Sequence, residues 1–174
     1  FRACFAPVAD GASCTVQGVA GSTTRQLVET LKLHRYNAEL QGTLKADCVI
    51  IVSNLNELFG KNGVLKPRLD PAVFTDVADM CKELREFEYY GWVLGGCGRL
   101  WCADTAAQYD EWLIQLLRVP TSYGVPWHDG VSMYDTVRFR PDGWHISGTP
   151  ENMRTVAQFV HEFAEIIVAT LLPA

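Results

Sequence analysis

The sequence predicts an α/β protein, a single domain over residues 1–174 built as a three-layer α/β/α sandwich around a mostly parallel sheet. Three observations carry that expectation. Two short apolar runs, 48–53 and 91–97, read as strands buried on both faces. Segments with apolar residues at helical spacing lie before, between and after them. Strands that alternate with helices in this way pair in parallel, because each helix carries the chain back across the sheet. A length of 174 residues is enough to bury such a core without metal or disulfide staples.

Taken in order, residues 1–12 are expected to be an extended N-terminal segment. Residues 14–20 read as a strand ending at Gly21-Ser22. Leu27, Val28, Leu31 and Leu33 then recur at helical spacing, which predicts a helix over 23–33. A short strand is expected around 36–40, before Gly42. The strand at 48–53 follows Asp47, and Gly60, Asn62, Gly63 and Pro67 make 59–69 a loop. Asp70-Pro71 opens a helix running to about Phe87, with proline in its first turn. The strand at 91–97 leaves through a glycine-rich exit, and a helix over about 105–118 carries Tyr109, Trp112, Leu113, Leu116 and Leu117 on one face. Residues 119–144 read as irregular, with a short strand near Val131–Tyr134. Thr149-Pro150-Glu151 opens the last helix, to about Leu172.

Composition narrows the classes of function. Hydrophobic residues make up 48% and charged residues 20%, the balance of a soluble globular domain. A net charge of -5 leaves no basic footprint, so direct binding of nucleic acid is not expected. No signal-peptide pattern is found, and no apolar run is long enough to span a bilayer, so no membrane partner is expected. The apolar stretch Ile166–Ala169 falls in a helical pattern with Glu162 and Glu165, which marks a core-facing helix. A start at Phe1 without methionine is expected of a domain within a larger polypeptide or of a processed product. Compartment stays open, because the spacings of the six cysteines match no disulfide framework; Cys97 and Cys102 flank one loop and are candidates to pair. No metal-ligand spacing, P-loop, dinucleotide fingerprint or G-x-S-x-G elbow occurs, so no cofactor is expected.

In parallel sheets ligands bind at the carboxyl ends of the strands, where Ser22, Asn54, Asn56 and the turn Gly95–Gly98 are expected. Ser22 stands at a strand-to-helix junction. There it has two readings, a helix N-cap (a duty that Thr23 could equally perform) or a nucleophile over the sheet's edge. Asn54 and Asn56 read either as turn residues or, for Asn56, as an amide donor to a developing oxyanion. Asp142 and His145 lie three residues apart ahead of the last helix, a spacing that lets an acid orient an imidazole base; the bland alternative is a solvated turn. His128-Asp129 is a rival pair, although adjacent side chains point apart. His34 suits a helix C-terminus, and His161 lies within the last helix.

These parts resemble the SGNH (GDSL-type) hydrolase superfamily, whose site is assembled from short blocks spread over an α/β/α domain with a flavodoxin-like sheet. Val19-Ala20-Gly21-Ser22-Thr23-Thr24-Arg25-Gln26 is similar to the first block, Asp47 through Asn54-Leu55-Asn56-Glu57 to the third, and Asp142-Gly143-Trp144-His145 to the final D-x-x-H block. Gly42 falls where the family places a glycine of the oxyanion hole. The string Ser-Thr-Thr-Arg-Gln also resembles the PC-esterase branch, whose members act on O-acetyl groups of glycans. The resemblance implies a serine esterase acting on a small acyl ester or an O-acetylated substrate. Ser22 would be the nucleophile, His145 the base and Asp142 its partner. The backbone of Ser22, with Gly42 and Asn56, would form the oxyanion hole. Trp144 and Tyr123 are placed in the substrate pocket from their loop positions. The first block departs from the family's Gly-Asp-Ser, because Ala20-Gly21 precede Ser22. That departure motivates the alternative of a catalytically silent module of the same fold that binds a ligand or a protein. A flavodoxin-like nucleotide-binding domain is a third reading, from sheet topology alone.

Overall fold

A computed structural model describes residues 4–7, 13–16, 22–41, 48–53, 55–60, 64–94, 103–129 and 147–171. The fold is α/β. Strands β1 (Cys4–Pro7) and β2 (Ser13–Val16) precede helix α1 (Thr24–Gln41). Strand β3 (Cys48–Ser53), a 3-10 turn (Asn56–Leu58), helix α2 (Pro71–Leu84) and strand β4 (Tyr89–Leu94) follow. Helix α3 (Ala103–Ser122), strand β5 (Trp127–His128) and helix α4 (Pro150–Leu171) complete the described elements.

Strands β3, β4 and β5 form a parallel sheet in that order, with Ile51 opposite Trp92 and Val93 opposite His128. Both crossovers step the same way across the sheet, and the right-handed rule then places α2 and α3 on one face. The side chains agree. Trp92 and Leu94 of β4 enter a large core cluster with Val77, Met80 and Leu84 of α2 and Tyr109, Leu113 and Leu116 of α3. The alternate residue Val93 belongs to a smaller cluster with Phe163 and Ile167 of α4. Gly91 lies on that same face, and a Cβ there would collide with Ile167 and Phe163, so α4 comes as close as it does because residue 91 has no side chain. Being central, β4 is the buried strand. The apolar run of β3 was expected to be buried on both faces but is half-exposed, with Val52 at 36%, because β3 is flanked by β4 alone among the described strands.

The helix starts follow the expected chemistry. Asp70 caps α2 by accepting from the Ala72 amide at 2.9 Å, with Pro71 in the first turn. Thr149 caps α4, its hydroxyl accepting from the Asn152 amide at 3.3 Å and its carbonyl from the Met153 amide at 3.0 Å. The five residues expected on the inner face of α3 are all buried. That helix continues past Pro120 to Ser122, since a proline in the last turn removes only one intrahelical bond.

Three expectations are corrected. Residues 36–40 are helical rather than a strand, because Ala38, Glu39 and Leu40 are helix formers and no breaker intervenes before Gly42. Leu33 is exposed, since Val28 and Leu31 already define the buried side of α1 and residue 33 lies off it. Of the strand expected at 14–20, the described part pairs antiparallel with β1, Cys14 opposite Ala6, in a sheet separate from the parallel one. Two-residue β5, inside the segment read as irregular, was not foreseen; the strand expected near Val131–Tyr134 and the candidate pair Cys97 and Cys102 lie outside the described residues.

Helix α1 lies against α2 and is tied to it by Arg35, whose guanidinium meets Glu83 at 3.3 Å and Glu86 at 3.8 Å. Cys81 lies at the centre of the large cluster, and burial pushes its thiol up to about 12. Among the described residues no helix is long and apolar enough to cross a membrane.

Candidate active site at the carboxyl edge of the sheet

Strand β3 delivers the chain to the edge of the sheet at Ser53, whose hydroxyl accepts from the indole N–H of buried Trp92 at 2.9 Å. Two residues on, Leu55 takes a left-handed backbone conformation, φ 49° and ψ 57°, the single non-glycine residue with positive φ among the described residues. Such a conformation costs a branched residue about 1–3 kcal/mol and persists only where its surroundings enforce it. Burial enforces it here, since the Leu55 side chain is 1% exposed and packs with Leu58 in the large cluster. The turn that results carries Asn56 and Glu57 to the start of α1.

That start is organised by a capping box. The Thr23 hydroxyl accepts from the Gln26 amide at 3.3 Å, and the Gln26 side chain accepts from the Thr23 amide at 2.9 Å. Thr23 is therefore the N-cap, and Ser22 stands one residue outside the helix without that duty. Ser22 is nonetheless 7% exposed. The Asn56 side-chain amide donates to its carbonyl oxygen at 2.8 Å, and both Glu57 carboxylate oxygens lie 3.2 Å from the Thr24 amide nitrogen. Two consecutive residues of one turn thus hold the backbone on either side of Thr23. The Asn56 amide carries a second hydrogen, which gives it the means to donate to an anion while holding Ser22.

The structure therefore brings Ser22 and Asn56 together across 34 residues of sequence. Gly42, Asn54, the turn Gly95–Gly98, Asp142, Trp144 and His145 lie outside the described residues. The segment that follows His145 is anchored: Asn152, 3% exposed on α4, donates from its side chain to the Ser147 carbonyl at 2.8 Å. Tyr123 is not placed with the pair. It follows the end of α3, four residues before β5 begins, at the amino edge of the sheet, and it packs against the large cluster. Proximity to irregular sequence suggested a pocket role; the crossover instead puts its position at the opposite end from Asn56.

The remaining histidines make other contacts. His128 does approach Asp129, Nδ1 to Oδ1 at 3.4 Å, contrary to the expectation for adjacent residues, and its ring stands edge-on to Phe159 and Phe163 of α4 at centroid distances of 4.9 and 5.8 Å. His161 meets Glu165 at 3.3 Å along α4. Among the described residues, no group of three or more His, Cys, Asp or Glu is placed to hold a metal ion.

Two participants escaped sequence reasoning. Glu57 is adjacent to Asn56, and adjacency gives no sign that both side chains reach the same turn. Thr24 lies within the block that singled out Ser22, but nothing local marks its amide as the one held from β3. The capping box was legible, because Thr23-x-x-Gln26 has its spacing, and it would have separated Ser22 from the cap. Comparison of the chain with protein-family models, with curated proteins and with solved structures gives no match.

Proposed function

We propose that this chain is a serine esterase of the SGNH type, in a three-layer α/β/α domain, that hydrolyses acetyl or other short acyl esters. The observation that carries the reading is the bond from the Asn56 amide to the Ser22 carbonyl, at 2.8 Å, on a serine that Thr23 has relieved of capping. It supports the first and third blocks of the resemblance acting as one site.

In this mechanism the Ser22 hydroxyl attacks the ester carbonyl carbon while His145 takes its proton. Asp142 orients the imidazole and stabilises its charged form. The tetrahedral oxyanion is held by the Ser22 backbone N–H, by Gly42 and by the Asn56 side chain. Collapse expels the alcohol, which receives the proton from His145 and leaves an acyl ester on Ser22. Water, deprotonated by His145, then releases the acid and restores the serine. Trp144, beside the base in sequence, is the remaining candidate for the pocket wall.

Turnover of p-nitrophenyl acetate by wild type and by Ser22→Ala tests the proposal. The expected result is turnover by wild type that falls to the uncatalysed background in the variant. Equal rates in the two proteins remove the esterase reading. They favour instead a silent binding module, the reading motivated by Gly21 where the resemblance expects an acid before the serine.

A further inference from the structure

We infer that Glu57 is a positioning residue for Ser22, acting through the Thr24 amide, an inference that rests on the esterase reading above. Both of its carboxylate oxygens lie 3.2 Å from Thr24 N, across 33 residues of sequence, so the bond joins two separately built elements. The capping box fixes Thr23 to Gln26 within α1, but it says nothing about where the start of α1 sits relative to β3. Only the bonds from Asn56 and Glu57, among those described at this junction, make that connection.

The two bonds differ in kind. Asn56 donates to the Ser22 carbonyl, and Glu57 accepts from the Thr24 amide. With one grip on each side of Thr23, the backbone between them cannot rotate without breaking a hydrogen bond. The first amides of a helix have no intrahelical acceptor, so loss of the carboxylate leaves a buried donor unsatisfied. The Thr24 hydroxyl is also buried and, among the described residues, has no hydrogen-bond partner. A negative group at the start of α1 also complements the positive end of the helix dipole, which keeps the carboxylate in place.

The consequence is kinetic. Displacement of a reacting group by about 1 Å costs on the order of 10²-fold in rate. A glutamine at 57 keeps one acceptor oxygen in a side chain of the same length, although without charge assistance.

The experiment measures p-nitrophenyl acetate kinetics for wild type, Ser22→Ala, Glu57→Ala and Glu57→Gln, with backbone amide exchange of Thr24 followed by NMR. Glu57→Ala is expected to lower kcat on the order of 10²-fold with KM within about twofold, the mark of an interaction that serves the transition state. Glu57→Gln is expected to recover about tenfold of that loss, and Thr24 exchange to accelerate about tenfold or more in Glu57→Ala. Wild-type kcat in Glu57→Ala, in a series where Ser22→Ala is inactive, overturns the inference and leaves the esterase reading standing. An equal loss in the alanine and glutamine variants also overturns it. If wild type and Ser22→Ala turn over alike, the esterase reading fails and the catalytic role of Glu57 with it. Unchanged Thr24 exchange in Glu57→Ala overturns the tie itself, whatever the kinetics.

Discussion

Among the described residues, the two faces of the parallel sheet carry apolar clusters of unequal size, and each cluster lies beside one anchored loop. On the larger face, α1, α2 and α3 share a cluster with Trp92 and Leu94, and Leu55 and Leu58 extend it under the turn that holds Ser22. On the smaller face, Val93 packs with Phe163 and Ile167 of α4, the buried apolar residues there among those described; α4 follows Asp142 and His145 in the chain. The anchors are alike. In each a side-chain amide holds a serine carbonyl at 2.8 Å, Asn56 that of Ser22 and Asn152 that of Ser147. The difference lies beneath them. Among the described residues, the Ser22 side stands on many interlocked side chains, and α4 meets the sheet through few, brought close by the bare backbone of Gly91. In the esterase reading, the geometry between Ser22 and His145 then depends on how firmly the thinner core holds α4.

That contrast can be broken from either side. Leu116→Ala, at the centre of the large cluster, is expected to lose about 2–5 kcal/mol of unfolding free energy by urea titration, from lost burial and the cavity left behind. Gly91→Ala is expected to lose about 1–3 kcal/mol, because the added methyl must displace both the tip of the Ile167 side chain and the Phe163 ring, which are packed against residue 91. In the esterase reading, its kcat should fall as well, as α4 is pushed outward. Full activity in a folded Gly91→Ala protein would show that the position of α4 does not set the site. Asn152→Ala carries the smallest stability effect, about 1–2 kcal/mol for a buried hydrogen bond whose carbonyl partner is left bare. It sharpens the comparison most, since it loosens Ser147 and leaves both apolar clusters whole. A fall in kcat without a change at Ser22, read by unaltered Thr24 amide exchange, is the expected outcome.

Much of the fold was legible because its signals are local. The caps Asp70 and Thr149, the proline in each following turn and the apolar face of α3 all depend on residues within a turn or two of each other. The errors share a cause. An apolar run such as Cys48–Ser53 does not state how many neighbours its strand has, and Val16 does not state which sheet its strand joins. The place of Tyr123 in the chain suggests a pocket wall, which the crossover into β5 overrides.

The site divides the same way. Sequence alone singled out Ser22 and Asn56 as candidates and left the N-cap open between Ser22 and Thr23, a choice that the local Thr23–Gln26 bonds settle in favour of Thr23. Tertiary structure alone decided that Asn56 reaches the Ser22 carbonyl and that Glu57 holds the Thr24 amide. Those bonds cross more than 30 residues and depend on Leu55 being forced by burial into a backbone conformation its own side chain disfavours. No local pattern encodes that choice, since its stability comes from the large core beneath it.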